Sequence, residues 1–164
     1  MKTVYIVRHA KSSWDEPGVD DHGRPLLAAG IKKTKLVIDF LKNKNVMPDL
    51  MITSSALRAK DTAFLIANGL GYTHSDIIVD EKMYHASPDS IMDELYALDD
   101  EINSVMIFGH NPTLTYFVNQ FIEPTIVNLP TSGVAAFEFV TDKWAEIGAA
   151  KCRTLFTVFP KMLR

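Results

Sequence analysis

Two rhythms of hydrophobic and polar positions alternate along this chain. Short apolar runs at 3–7, 50–53, 77–79 and 104–108, rich in Val and Ile, predict buried strands. Between them, apolar residues recur at three- and four-residue spacing over 26–44, 57–70 and 89–98, which predicts helices. A fourth helix is predicted to open at Asn111-Pro112, with Pro112 in a first turn where its missing N–H costs nothing. Strands alternating with helices imply a mostly parallel central sheet covered on both faces, a three-layer α/β sandwich. The rhythm then changes: 133–140 and 154–160 are two β-rich runs joined by the polar stretch 141–151. They predict a partly antiparallel C-terminal edge to the sheet. No repeat, linker or low-complexity tract interrupts the pattern, so residues 1–164 read as one domain.

Composition narrows the function classes. The chain is 47% hydrophobic and 23% charged with a net charge of −3, ordinary values that call for neither a nucleic-acid nor a membrane partner. Its apolar stretches stop short of the roughly 18 residues a membrane helix needs. The opening residues run into charge before a signal-peptide core could form, so a cytoplasmic protein is expected. Cys152 is the sole cysteine, which rules out an internal disulfide, and its strand-like setting predicts a small buried hydrophobe rather than a nucleophile. Lys32, Lys33, Lys35, Lys42 and Lys44 are expected to form the solvated face of the first helix.

Candidate chemistry gathers where the strands end. The first strand delivers Arg8 and His9, the second leads to Arg58 in the first turn of a helix, and the fourth ends in Gly109-His110-Asn111-Pro112. In open α/β sheets, ligands bind outside the carboxyl ends of the strands. Two arginines, two histidines and two helix N-termini at one mouth describe a site for a phosphoryl dianion, because guanidinium forks grip its oxygens and helix-end N–H groups add positive potential. An arginine in a first helical turn opposes the macrodipole, so Arg58 in particular points to an anion. No carboxylate cluster or His-x-x-x-His pair points to a metal, and no cofactor is called for. A histidine is then the expected nucleophile. His22 and His74 are expected on the solvated surface, and Ser13 in a turn or cap, whereas Ser12 is assigned to the phosphoryl site.

These residues resemble the histidine phosphatase, or phosphoglycerate mutase-like, superfamily, and most closely its small SixA-like phosphohistidine phosphatase branch. The likeness spans Val4 to Trp14, the stretch Asp20-Asp21-His22-Gly23-Arg24-Pro25-Leu26, Ser54 to Ala63, and Phe108-Gly109-His110-Asn111-Pro112. It implies that His9 attacks phosphorus and becomes phosphohistidine, that Arg8, Arg58 and His110 bind the phosphoryl oxygens, and that water then removes the group. A backbone carbonyl on the other ring nitrogen of His9 would set the useful tautomer.

The chain departs from the common family pattern at several positions. Ala10 and Lys11 stand where many members have Gly and an acid, and Asp15 stands where many have Asn, lining the pocket or turning the loop. The family's general acid is usually a carboxylate after the third strand; the matching position here is His85, with Asp80 and Glu81 close by as alternatives. A chain this short has no room for enclosing insertions, which favours a phosphorylated side chain on a protein over an engulfed metabolite. The resemblance therefore implies a metal-independent phosphatase of protein phosphohistidine. The alternatives are a phosphatase of small phosphomonoesters using His85 as proton donor, or a non-catalytic phosphate-binding module.

Overall fold

Along the first strand, β1 (Lys2–Arg8), Val4 and Ile6 enter one hydrophobic cluster while Tyr5 and Val7 enter another, the alternation that a pleated strand covered on both faces produces. The computed structural model describes residues 1–163. The further strands are β2 (Leu50–Ser54), β3 (Ile77–Asp80), β4 (Ser104–Gly109), β5 (Val134–Phe139) and β6 (Cys152–Val158), and the sheet order is β3-β2-β4-β1-β5-β6. β1 to β4 are mutually parallel, and β5 runs antiparallel to both β1 and β6, as the change of rhythm after Gly133 implied.

Helices α1 (Ala28–Asn43) and α2 (Leu57–Leu70) cover one face through Val37, Ile38, Leu41, Ala63, Ile66 and Ala67. The other face is covered by α3 (Pro88–Tyr96) and α4 (Thr113–Val118), which contribute Ile91, Leu95, Leu114 and Phe117. α2 stops where Gly71 takes a left-handed φ of +78°, and α3 starts on a reciprocal Ser87–Ser90 capping box with Pro88 following the cap.

Two expectations need correction. The fourth helix is a short one that begins at Thr113, and Pro112 forms its cap rather than its first turn. The 141–151 connection is not simply polar: a 3-10 helix over Trp144–Ala149 buries Trp144 and Ile147 in the cluster that holds Val4 and Ile6. Cys152 is a half-buried strand residue whose thiol is pushed up to about 11, chiefly by burial, which keeps it inert at neutral pH.

Candidate active site

Because β1, β2 and β4 run parallel and side by side, their carboxyl ends open on one edge; Arg8 lies in register with Gly109, and Thr53 with Phe108. The backbone leaving β1 is held on several sides. His9 N–H donates to the Gly109 carbonyl (3.2 Å), and Ser132 N–H donates to the Arg8 and His9 carbonyls (3.1 Å each). Ala10 N–H donates to Oγ1 of Thr62 (2.8 Å), whose hydroxyl donates in turn to the Arg58 carbonyl (2.7 Å), so one threonine ties the loop after β1 to the first turn of α2. Gly30 lets α1 approach this loop, since a methyl group there would lie 2.5 Å from the Lys11 carbonyl oxygen.

The resulting cavity of about 490 Å³ is lined by Arg8, His9, Lys11, Ser12, Arg58 and His110, and also by Trp14, Asp21, Arg24, Lys33, Asn111 and Thr131. Nδ1 of His9 lies 2.7 Å from the Ala10 carbonyl oxygen, which can only accept, so Nδ1 carries the proton and Nε2 keeps its lone pair. Burial, reinforced by the Arg58, Arg8 and Arg24 charges, lowers the His9 pKa to about 4 against the opposing pull of that hydrogen bond. The imidazole is therefore neutral at neutral pH, with the lone pair of Nε2 unprotonated. His110, its ring centroid 5.3 Å from that of His9, is lowered to about 3 by burial and Arg58, and its Nε2 pairs with Oγ of Ser54 at 2.7 Å. Three buried nitrogens, Nε of Arg8, Nε of Arg58 and Nδ1 of His110, have no hydrogen-bond partner in the protein. Buried polar atoms are normally paired, so these three leave the site with unsatisfied hydrogen-bonding capacity.

The arginines are organised by a carboxylate that sequence reasoning passed over. Asp21 accepts from Nη2 of Arg58 and Nε of Arg24 (3.1 Å each), its carbonyl accepts from Nη1 of Arg58 (2.7 Å), and the Tyr84 hydroxyl donates to its Oδ2. The Tyr84 bond, together with Arg58 and Arg24, holds the Asp21 carboxyl down at about 2, so it is an ionised clamp. Arg24, itself buried, stacks 3.5 Å from the ring of Trp14, which stands at the lip 79% exposed. Asp21 and Arg24 lie within the Asp20–Leu26 stretch, and their three-residue spacing in a turn was the available signal; Tyr84 offered none.

The structure brings Arg8, His9, Arg58 and His110 together, and it sorts the remaining candidates. Ser12 lines the cavity, but its Oγ accepts from Nη1 of Arg24 (3.1 Å), so it positions that guanidinium. Ser13 serves the turn, its Oγ accepting from Asp15 N–H, and Asp15 itself is exposed and outside the lining. His85 is exposed and lines a neighbouring cavity with Tyr84 and His110 rather than the one around His9. Asp80 caps the 3-10 turn at Lys82, and neither it nor Glu81 lines either cavity. His22 is not merely solvated: its Nε2 lies 2.8 Å from Oγ of Ser55 and its ring meets the Tyr84 ring edge-on. His74 is exposed as expected, stacked on Phe64. Lys33, assigned to a solvated helix face, is exposed at the cavity rim. Among the described residues, no group of three or more His, Cys, Asp or Glu is arranged to hold a metal ion, and no helix is long and apolar enough to cross a membrane.

Comparison with known proteins places this geometry among relatives. The profile of the histidine phosphatase superfamily (branch 1) matches residues 4–85. The phosphohistidine phosphatase SixA of Escherichia coli strain K12 is 28% identical over 116 residues, covering 70% of this chain and 71% of that protein. The crystal structure of SixA from Agrobacterium tumefaciens superposes with a TM-score of 0.82 at 27% identity, covering 97% of this chain and 98% of the other. A tungstate complex of the protein histidine phosphatase SixA superposes with a TM-score of 0.83 at 23% identity over 99% of both chains. The six-stranded α/β arrangement is thus the phosphoglycerate mutase-like fold of the SixA structures.

Proposed function

The chain belongs to the histidine phosphatase superfamily, and from that premise we propose that it hydrolyses phosphohistidine on a protein through a covalent intermediate on His9. Nε2 of His9 attacks phosphorus in line as the P–N bond to the substrate imidazole breaks. With the substrate ring protonated on its other nitrogen, as a phosphoimidazolium, that imidazole leaves neutral. Water then attacks the phosphoryl group on His9, the P–N bond to Nε2 breaks, and the ring is restored with its Nδ1 proton still directed at Ala10. Arg8, Arg58 and His110 line the cavity beside His9 and hold the phosphoryl oxygens there, so charge developing in both transition states meets preorganised donors.

The observation that carries the substrate class is that the carboxylate lining this cavity, Asp21, is already engaged by Arg58, Arg24 and Tyr84. Those partners also hold it down at about 2, so it stays ionised. His110 is neutral, and His85 stands in the adjoining cavity. A phosphomonoester with a poor leaving group needs a proton donor beside the departing oxygen; a phosphohistidine protonated on its other ring nitrogen does not. Positive charge comes from the guanidiniums, so turnover should survive EDTA.

The test is trapping. Quenching the enzyme during turnover of a labelled phosphohistidine protein should leave acid-labile, base-stable label on the wild type. The His9→Ala protein should be folded, unlabelled and inactive. Label retained by His9→Ala, or strong inhibition by chelation, would overturn the mechanism.

A further inference from the structure

A second concavity of about 510 Å³ adjoins the phosphoryl site, and Lys33 and Thr131 line both. Its surface is largely apolar, from Ile126, Val127, Pro130 and Phe159, with Lys161 as a further cation. Val127 is fully exposed, at 101%, so it contributes nothing to the chain's own packing. An exposed apolar concavity continuous with a reactive site is the usual form of a recognition subsite, and this volume suits a peptide segment with one or two apolar side chains.

Resting on the reading that the substrate is a phosphorylated protein, we infer that this groove binds an apolar side chain of that protein, within a few residues of its phosphohistidine and beside an acidic residue. Continuity argues for this occupant: a polypeptide leaving the phosphoryl site over Lys33 and Thr131 enters the groove directly, whereas a small phosphomonoester filling the first cavity has no reason to extend there. Charge supports it too. Lys33 and Lys161 bracket apolar surface with positive charge, which fits an acidic and apolar flank and disfavours a basic one. Specificity would then come from the flank, because the phosphoryl site grips a group common to every substrate.

The experiment uses binding, so that it does not depend on turnover. Two peptides carry a phosphonate-bearing triazolylalanine in place of phosphohistidine, one flanked on both sides by Leu and Glu and the other by Gly and Ser. Calorimetry on the full chain should show the Leu/Glu peptide binding about tenfold more tightly, the size expected for one apolar side chain in a half-open groove. Val127→Glu should abolish that preference, and Lys161→Glu should reduce it. Hydrolysis of p-nitrophenyl phosphate should stay unchanged in both variants, since neither residue touches the phosphoryl site. Equal binding of the two peptides to the wild type, or a preference that survives Val127→Glu, would overturn the groove even if phosphohistidine is hydrolysed. So would self-association of the wild type that Val127→Glu abolishes while the peptides bind alike, which would make the groove a contact between copies. Failure of the underlying reading has a different signature: turnover of p-nitrophenyl phosphate with none of a phosphohistidine protein.

Discussion

The two ends of β1 each carry a cation, Lys2 buried and Arg8 half-buried, and they treat it in opposite ways. At the start of the strand, Lys2 is 1% exposed, and its Nζ donates to the Asp100 carbonyl (2.6 Å), the Ile102 carbonyl (2.9 Å) and Oδ1 of Asn103 (3.1 Å), with the Trp144 ring 5.6 Å away. Every donor of that ammonium is spoken for. At the strand's end, Arg8 gives Nη1 to the Leu129 carbonyl (3.2 Å) and leaves a buried Nε without a partner, as Arg58 does beside it. A cation whose donors are satisfied by fixed carbonyls is finished structure. One whose donors are withheld from the protein costs folding free energy, and that cost is recovered when an anion arrives. Sequence type alone cannot separate the two cases, because both are basic residues at the ends of one apolar run.

The largest expected effect lies at the unsatisfied end. Arg58→Lys should lower kcat by about 10²-fold, because an ammonium cannot bridge the Asp21 carbonyl and carboxylate while also directing a donor at the phosphoryl group. Lys11→Ala, which removes an exposed rim residue, should cost far less. Steady-state kinetics on one phosphohistidine substrate decides it, and equal defects would mean that Arg58 contributes charge without geometry.

Lys2→Met sharpens the comparison from the other end. It keeps the aliphatic stem but strips two carbonyls and Asn103 of their shared donor, so stability should fall by about 2–3 kcal/mol. That corresponds to roughly 5–10 °C in Tm for a chain of this size, while kcat stays near the wild-type value. A Tm drop accompanied by an equal loss of kcat would show that the two ends of β1 are coupled.

The same contrast explains what was legible in the sequence. Period-2 and period-3.6 patterns locate strands and helices, and a strand's end locates whatever follows it, so Arg8, His9, Arg58 and His110 could be read as one mouth. The clamp could not. Asp21, His22 and Arg24 lie in the aperiodic stretch between β1 and α1, and their partners Arg58, Ser55 and Ser12 meet them only after the chain folds back. Tyr84 and His85 are neighbours in sequence, yet Tyr84 reaches Asp21 while His85 lines the next cavity, a difference of side-chain direction that spacing does not encode. Trp144 was hidden for a similar reason: a 3-10 turn buries it inside a stretch that reads as polar.

The smallest predicted effect is on stability against pH, and it again belongs to the carboxyl end of the sheet. His9 and His110 are held neutral in the folded protein, with pKa values lowered from the ordinary 6.5 to about 4 and about 3. In the unfolded chain both regain ordinary values, so below pH 6.5 the unfolded state binds more protons and stability must fall with pH. The contribution is complete above pH 6.5 and is lost progressively as pH falls toward 4 for His9 and toward 3 for His110. Between pH 6.5 and 5.5 the loss should be about 1 kcal/mol for each histidine. Urea unfolding across that window should show the slope in the wild type, and His9→Ala should remove about half of it. A slope unchanged in His9→Ala would mean that folding does not lower the pKa of this imidazole.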